Sequence, residues 1–411
     1  MGCDLILYNG TYLNKGGAAI AYGTLKILRE LGLKFKYIVD PDPNFPFKAM
    51  GLIPIYRYSD TFSVNPIPSV NPIYTAKPFV RCLANSFSKD LLSFKGVPIW
   101  HIGDSPFGDT RSGLSIVGQI FSLSSLKHSL GSRAVVGGVS LAQPVTKIGK
   151  LTLPRFFKYD VDYVYTRGSY TNDNLASWGV AKNKYSPICD FAFHLDADDT
   201  YSLSPGIRKT FECFSNGGPK IALVLREFKI NGSSDEYISK ITSFVKDLEN
   251  AGYDVYYVPT TYAFLIPEND YRYLVDVLHV SQDKIIYIRD NTPGEIISIL
   301  SNFDCVISTR LHGAILGTLA HVPTIHLYEG GKSLEVLREV YGDLVPMINL
   351  YDFTMQYPNL DILSLVGGLL HNSTCLSKNF EDCICQARVS SLRHIESTIH
   401  DVLDLSCDFD M

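Results

Sequence analysis

The sequence predicts an α/β protein with two lobes facing a cleft, and two observations carry the prediction. Short β-branched runs alternate with longer helical patterns along most of the 411 residues, which is the signature of α/β units with largely parallel sheets. The alternation breaks at Asp196–Gly218, where acidic residues, Ser, Pro and Gly cluster, and then restarts in the same style. A chain of this length suits two or three domains at ~150 residues each. The reading places one lobe at 1–200 and a second at 218–386, with a C-terminal helix at 387–411 packing back on the first.

The first strand is LILYNG at 5–10, followed by a Gly-containing loop and an amphipathic helix that ends near Gly32. KFKYIVD is the next strand, and the Pro, Asn and Ser residues of 41–78 predict irregular loops. A helix near 80–94 precedes the strands VPIWHIG and SRAVVGGVS; VDYVYTRG and the helix SYTNDNLASWG follow. Beyond the seam come KIALVLRE, a helix at 235–251, YDVYYVP, a helix at 268–279 and KIIYIRD. A helix at 293–302, DCVIST, a helix at 311–320 and PTIHLYEGG complete the second lobe.

Composition narrows the function. With 46% hydrophobic and 19% charged residues the chain is core-forming rather than disordered. Its 37 basic and 42 acidic residues give a net charge of −5, so no basic excess drives generic binding to nucleic acid or to an acidic membrane, although a local basic cluster could bind a small anion. No apolar run approaches the ~20 residues of a membrane span. The N-terminus MGCDLILYNG has no basic segment or cleavage site of a secretory signal. Ile6 stands where an acylation pattern needs Ser or Thr. Nine scattered cysteines suit a reduced protein, and Cys383-Ile384-Cys385 lacks metal-ligand spacing. The expected location is the cytoplasm, and no metal is expected.

Ligands of open α/β sheets bind beyond the carboxyl ends of the strands, where helix N-termini present free N–H groups. The strongest such loop joins Asp304-Cys305-Val306-Ile307-Ser308-Thr309 to Arg310-Leu311-His312-Gly313. A cation and an imidazole at one helix N-terminus suit an anionic substrate that needs proton transfer; an ion pair for Arg310 and a turn-capping His312 is the plain alternative. Gly330-Gly331-Lys332-Ser333 lacks the first glycine of a P-loop, His326 standing there, yet its turn suits a phosphate on Lys332 as well as it suits a solvated lysine. Asn14-Lys15-Gly16-Gly17 opens a helix after the first strand and reads equally as an anion-binding or substrate loop and as a mere turn. Arg167 ends a strand, ready either to reach into a cleft or to pair with an acid, and Asp104 follows VPIWHIG in a position to orient an acceptor hydroxyl. The HExxH, GxSxG and GxGxxG patterns are absent, which removes support from metallopeptidase, esterase and dinucleotide readings.

These stretches together resemble the polysaccharide pyruvyl transferase family. Asn14-Lys15-Gly16-Gly17-Ala18-Ala19 is similar to its Asn-x-Gly-x-x-Ala loop, and Ser140-Leu141-Ala142-Gln143-Pro144 to a Ser-x-Gly-Pro turn. Tyr165–Gly179 and Asp190-Phe191-Ala192-Phe193 resemble further family stretches, and Ser308–Gly313 is followed by Val322-Pro323 and Tyr328…Lys332 in the family's order. Gly17, Gln143, Gly168 and Phe191 stand where the family carries Asp, Gly, Glu and Pro.

The resemblance implies two Rossmann-like lobes in a GT-B-like arrangement and transfer of an enolpyruvyl unit from phosphoenolpyruvate to sugar hydroxyls as a ketal, in glycan biosynthesis. It implies no cofactor; phosphoenolpyruvate is the donor substrate and a saccharide the acceptor. Arg310 and Leu311, with Lys332 or Arg167, would bind the donor, His312 would protonate its methylene, and Asp270 would be the base for the acceptor hydroxyl, with Asp104 second. A GT-B glycosyltransferase using a nucleotide sugar and a catalytically silent sugar-binding protein are the rival readings.

Overall fold

A computed structural model describes residues 4–42, 44–56, 89–103, 113–213, 217–262 and 269–403. The chain forms two compact units. One comprises residues 1–12, 23–191 and 389–411; the other comprises 13–22 and 192–388.

The first unit holds a seven-stranded parallel sheet. Its strands are β1 (Ile6–Tyr8), β2 (Tyr37–Val39), β3 (Ile53–Ile55), β4 (Ile99–Ile102), β5 (Ala134–Val139), β6 (Tyr163–Thr166) and β7 (Tyr185–Pro187). They lie in the order β3-β2-β1-β4-β5-β6-β7, the 3-2-1-4-5-6 pattern of a Rossmann-like sheet with one strand added. The central strands β1, β4 and β5 are buried throughout, as expected where helices cover both faces of a parallel sheet.

The edge strands β3 and β7 each contain a proline, Pro54 and Pro187. A sheet edge tolerates a residue without an N–H donor, but the same prolines make these segments read as loops. The Gly113–Leu130 helix carries apolar residues around most of its circumference and five serines, so no single stripe marks it in the sequence.

The second unit repeats the design with β8 (Lys220–Val224), β9 (Asp254–Tyr257), β10 (Cys305–Ser308), β11 (Thr324–Tyr328) and β12 (Met347–Asn349). All pairings are parallel, in the order β12-β11-β10-β8-β9. The expected KIIYIRD strand survives as a single parallel bridge from Ile285 to Tyr257 of β9. It ends there because the Ile288 N–H donates to the Tyr262 hydroxyl instead of to the ladder. Counting that bridge restores the Rossmann-like order, with the switch point between β8 and β10.

Local signals explain the helices that flank the site. Pro293–Leu300 opens with a capping box, Thr292 Oγ1 accepting from Glu295 N and Glu295 accepting from Thr292 N, with Pro293 at the first helical position. The helix expected at 268–279 is a short turn, Asp270–Arg272, running into a π-helical turn, Tyr273–Val277; residues 263–268 are outside the described set. The final helix runs Ser373–Leu403, beginning well before the 387–411 expected. Its last turns pack on the first unit: Tyr165 Oη and Thr398 Oγ1 lie 2.8 Å apart, and Arg133 donates to the Asp401 carbonyl at 2.7 Å.

Candidate functional site

The carboxyl ends of β8 and β10 lie side by side at the switch point of the second unit, and each leads directly to an arginine. The Thr309 N–H donates to the Val224 carbonyl at 2.8 Å, and Arg226 N–H donates to Thr309 Oγ1 at 2.9 Å. These cross-ties fix the backbones of Arg226 and Arg310 on neighbouring strands. Arg310 is the N-cap of the Leu311–Leu319 helix, and its N–H donates to Ser308 Oγ at 3.1 Å. The helix can sit this low on the sheet because residue 313 is glycine: a Cβ there would lie 2.4 Å from Ser308 Oγ and 2.7 Å from Val224 Cγ1.

Each guanidinium has its own carboxylate. Arg310 donates to Asp270 Oδ1 through Nη2 and, at 3.2 Å, through Nε. The other oxygen of Asp270 accepts from Thr260 N and Oγ1, both at 3.2 Å. Asp270 is 1% exposed, with both oxygens committed to these donors. In this arrangement the carboxylate holds Arg310 and Thr260, a different setting from the free base expected for an acceptor hydroxyl. Arg226 pairs with Glu329 at 2.8 Å, at the end of β11. Burial lowers the Arg226 pKa from its ordinary value, and the positive charge of Arg310 lowers it further. Two cations on neighbouring strands, each paired with one carboxylate, suit a ligand that carries more than one negative charge.

The segment 13–17 belongs to the same unit. It is pinned by hydrogen bonds from Tyr262 N to Leu13 O and from Lys15 N to Thr260 O, at 2.9 and 2.8 Å. Asn14 is exposed, and its Oδ1 accepts from Gly16 N at 3.0 Å and Gly17 N at 3.4 Å, capping the Lys15–Glu30 helix. Lys15 is fully buried and its Nζ donates to the Asn291 carbonyl at 3.1 Å; burial lowers its pKa to about 8 against the pull of Asp290 and Glu295. Gly16 lies against the imidazole of His312, so close that a Cβ on it would be 2.3 Å from Nδ1. The structure thus brings Asn14, Gly16, Asp270, Arg310, Leu311 and His312 into one neighbourhood of one unit.

Other expected residues lie elsewhere. Arg167 is buried in the first unit, donating to Asp190 Oδ2 at 2.6 Å and to Ser140 Oγ at 2.9 Å. Its charge meets Asp190 inside that core, the ion-paired one of the two alternatives that the sequence leaves open. Lys332 lies in the first turn of the Gly331–Tyr341 helix, and its side chain falls outside the described residues. Asp104 also lies outside them.

Sequence reasoning missed Arg226, although the signal was present: KIALVLRE and DCVISTR both end a buried strand in arginine. Glu329 and Thr260 had no such mark. Among the described residues no group of three or more His, Cys, Asp or Glu is placed to hold a metal ion, and no helix is long and apolar enough to cross a membrane.

Two Rossmann-like units, the second with paired arginines and a histidine at its switch point, define an α/β protein of GT-B-like fold. More particularly, the chain belongs to the polysaccharide pyruvyl transferase family, whose model matches residues 14–330. No curated protein sequence matches it. Among solved structures it resembles Anabaena Alr3699/HepE in complex with UDP and glucose, with a TM-score of 0.57 and 11% identity over 97% of this chain and 99% of that one. It also resembles a glycosyltransferase from Rickettsia africae, with a TM-score of 0.57 and 13% identity over 99% and 100% of the two chains. S. aureus MnaA bound to UDP gives 0.59 and 12% identity over 98% and 97%. At these identities the likenesses establish the fold alone.

Proposed function

We propose that this protein transfers a pyruvyl group from phosphoenolpyruvate to two sugar hydroxyls as a ketal, in cell-surface glycan or exopolysaccharide biosynthesis. The observation that carries the proposal is the pairing of Arg226 and Arg310 beside His312 at the ends of β8 and β10. Phosphoenolpyruvate carries a phosphate and a carboxylate on the same enol carbon, two neighbouring anionic groups that suit two guanidiniums on adjacent strands. The N-terminus of the Leu311–Leu319 helix adds N–H donors and a favourable dipole for an anion.

In the reaction, His312 donates a proton to the donor methylene while a sugar oxygen forms a bond to the enol carbon. The carbon–oxygen bond to phosphate then breaks, inorganic phosphate leaves, and the second hydroxyl closes the ketal. Of the two hydroxyl protons, one replaces the proton given up by His312 and the other leaves on the phosphate. Asp270 keeps Arg310 in the plane needed for bidentate contact, and Gly16 sets the position of the imidazole. Use of an intracellular metabolite as donor sets the reaction in the cytoplasm.

The test is a thermal-unfolding titration with phosphoenolpyruvate, beside UDP- and CMP-sugars, for wild type and Arg310→Ala. A ligand at a hundred times its Kd adds ~2.7 kcal/mol to stability. The expected result is a midpoint shift with phosphoenolpyruvate that the variant loses, followed by phosphate release on addition of a competent saccharide. A shift with nucleotide sugars alone would instead favour glycosyl transfer and overturn the proposal.

A further inference from the structure

We infer that the first unit carries a docking surface for an anionic lipid bilayer, formed by the Lys147–Arg155 helix and the π-helical turn Phe156–Asp160 that continues it. The inward side of this segment is conventional: Leu153, Phe156 and Phe157 are buried in the core cluster of the unit, and buried Gly149 accompanies them. The outward side is not. Ile148, Leu151 and Tyr159 are 44%, 60% and 68% exposed, and Val145, just before the helix, is 71% exposed. Ile148, Leu151, Arg155 and Tyr159 follow one another at spacings of three and four residues, so they form a single stripe. Lys147, Lys150 and Lys158 are exposed beside it. The Lys158 ammonium lies 5.5 Å from the centroid of the Tyr159 ring.

The charge on this face is almost all of one sign, Asp160 at the end of the segment being its one acid. From Arg133 through Tyr159 the sequence has no acidic residue, and among the described residues none of Lys147, Lys150, Arg155 and Lys158 forms an ion pair. The nearest acid along the chain, Asp160, is hydrogen-bonded to His128 at 3.0 Å. A patch of four cations stands out on a chain of net charge −5. A solvated helix face ordinarily carries mixed charges and few large apolar side chains.

Charge decides between the occupants. A second copy of this chain docking by a two-fold axis would set the same patch against itself, bringing eight cations together against two Asp160 carboxylates that already meet His128. An anionic bilayer removes both difficulties: Ile148, Leu151 and Val145 enter the boundary between headgroups and acyl chains, Tyr159 sits at the interface, and the lysines extend to the lipid phosphates.

The experiment is flotation of the full chain with vesicles of phosphatidylcholine alone and of phosphatidylcholine mixed with phosphatidylglycerol. Recovery with the anionic vesicles and not the neutral ones is expected, weakening as salt rises. Leu151→Asp and the pair Lys147→Glu/Lys150→Glu should each weaken binding by about tenfold or more. Leu151→Ser repeats the apolar test if the aspartate variant melts lower than wild type. Tyr159→Trp should show blue-shifted emission on anionic vesicles relative to wild type with its native Trp100 and Trp178. Absence of vesicle binding, the result an acidic protein partner would give, overturns the inference. So does binding that the Leu151 variants leave intact, since that is adsorption by charge alone.

Discussion

The backbone of Gly16 is packed so tightly against His312 that a single methyl on it would lie 2.3 Å from Nδ1. A segment near the N-terminus therefore forms one wall of the imidazole site, although 296 positions separate the two residues in the chain (312 − 16). Gly16→Ala must displace the ring or the helix start. A shift of about 1 Å in a proton donor can cost ~10²-fold in turnover, and that loss is expected in phosphate release, with the melting midpoint nearly unchanged. His312→Ala should lose ~10²–10⁴-fold. Normal turnover in Gly16→Ala would remove the imidazole from the reaction.

Arg226 and Glu329 make a second test. Arg226→Ala should raise the KM for phosphoenolpyruvate about tenfold to a hundredfold, the usual worth of a charge-assisted hydrogen bond. Glu329→Gln releases Arg226 from its partner at 2.8 Å, so donor affinity should hold or increase. Steady-state kinetics on both variants would refute the clamp if Glu329→Gln weakened the donor as much as Arg226→Ala.

Asp270 is expected to act through Arg310. Asp270→Asn should therefore raise KM for the donor, and the double variant with Arg310→Ala should be no worse than Arg310→Ala alone. A base would behave differently, lowering kcat with KM unchanged and deleting the acidic limb of the pH profile.

Stability should fall on the acid side through His326. Its Nδ1 lies 2.9 Å from the Ser308 carbonyl, and burial lowers its pKa to about 4. The folded imidazole is thus neutral where the unfolded one takes a proton, so its contribution is intact above pH ~6.5 and is lost as pH falls toward 4. The loss amounts to about 3 kcal/mol from this residue. His101, lowered to about 3 by burial, adds to the same trend. His326→Asn should flatten denaturation curves measured between pH 6.5 and 4; an unchanged slope would assign the effect elsewhere.

Arg167 should prove structural. Arg167→Met leaves the fully buried Asp190 without its counter-ion, and removing one partner of a buried pair costs about 3–5 kcal/mol. The melting midpoint should drop while the shift induced by phosphoenolpyruvate persists. Loss of that shift at an unchanged midpoint would return Arg167 to the donor site.

The sequence by itself determined the α/β class, the restart of the pattern in a second unit, the family, and the Arg310–His312 loop. Each of these is local: a buried parallel strand is a short apolar run, and a helix N-terminus beside its end announces itself through Gly, Arg and His within six residues. The edge strands β3 and β7 were illegible because Pro54 and Pro187 are tolerated only where one side of a strand is unpaired, and strand order is not written in a segment. Tertiary structure alone decided that Asp270 serves Arg310, that Arg167 is spent on Asp190, that Arg226 joins Arg310, and that Gly16 touches His312. Those relations join residues up to about 300 positions apart, and they exist only once parallel pairing sets β8 beside β10 and hydrogen bonds pin Leu13 and Lys15 to Thr260–Tyr262.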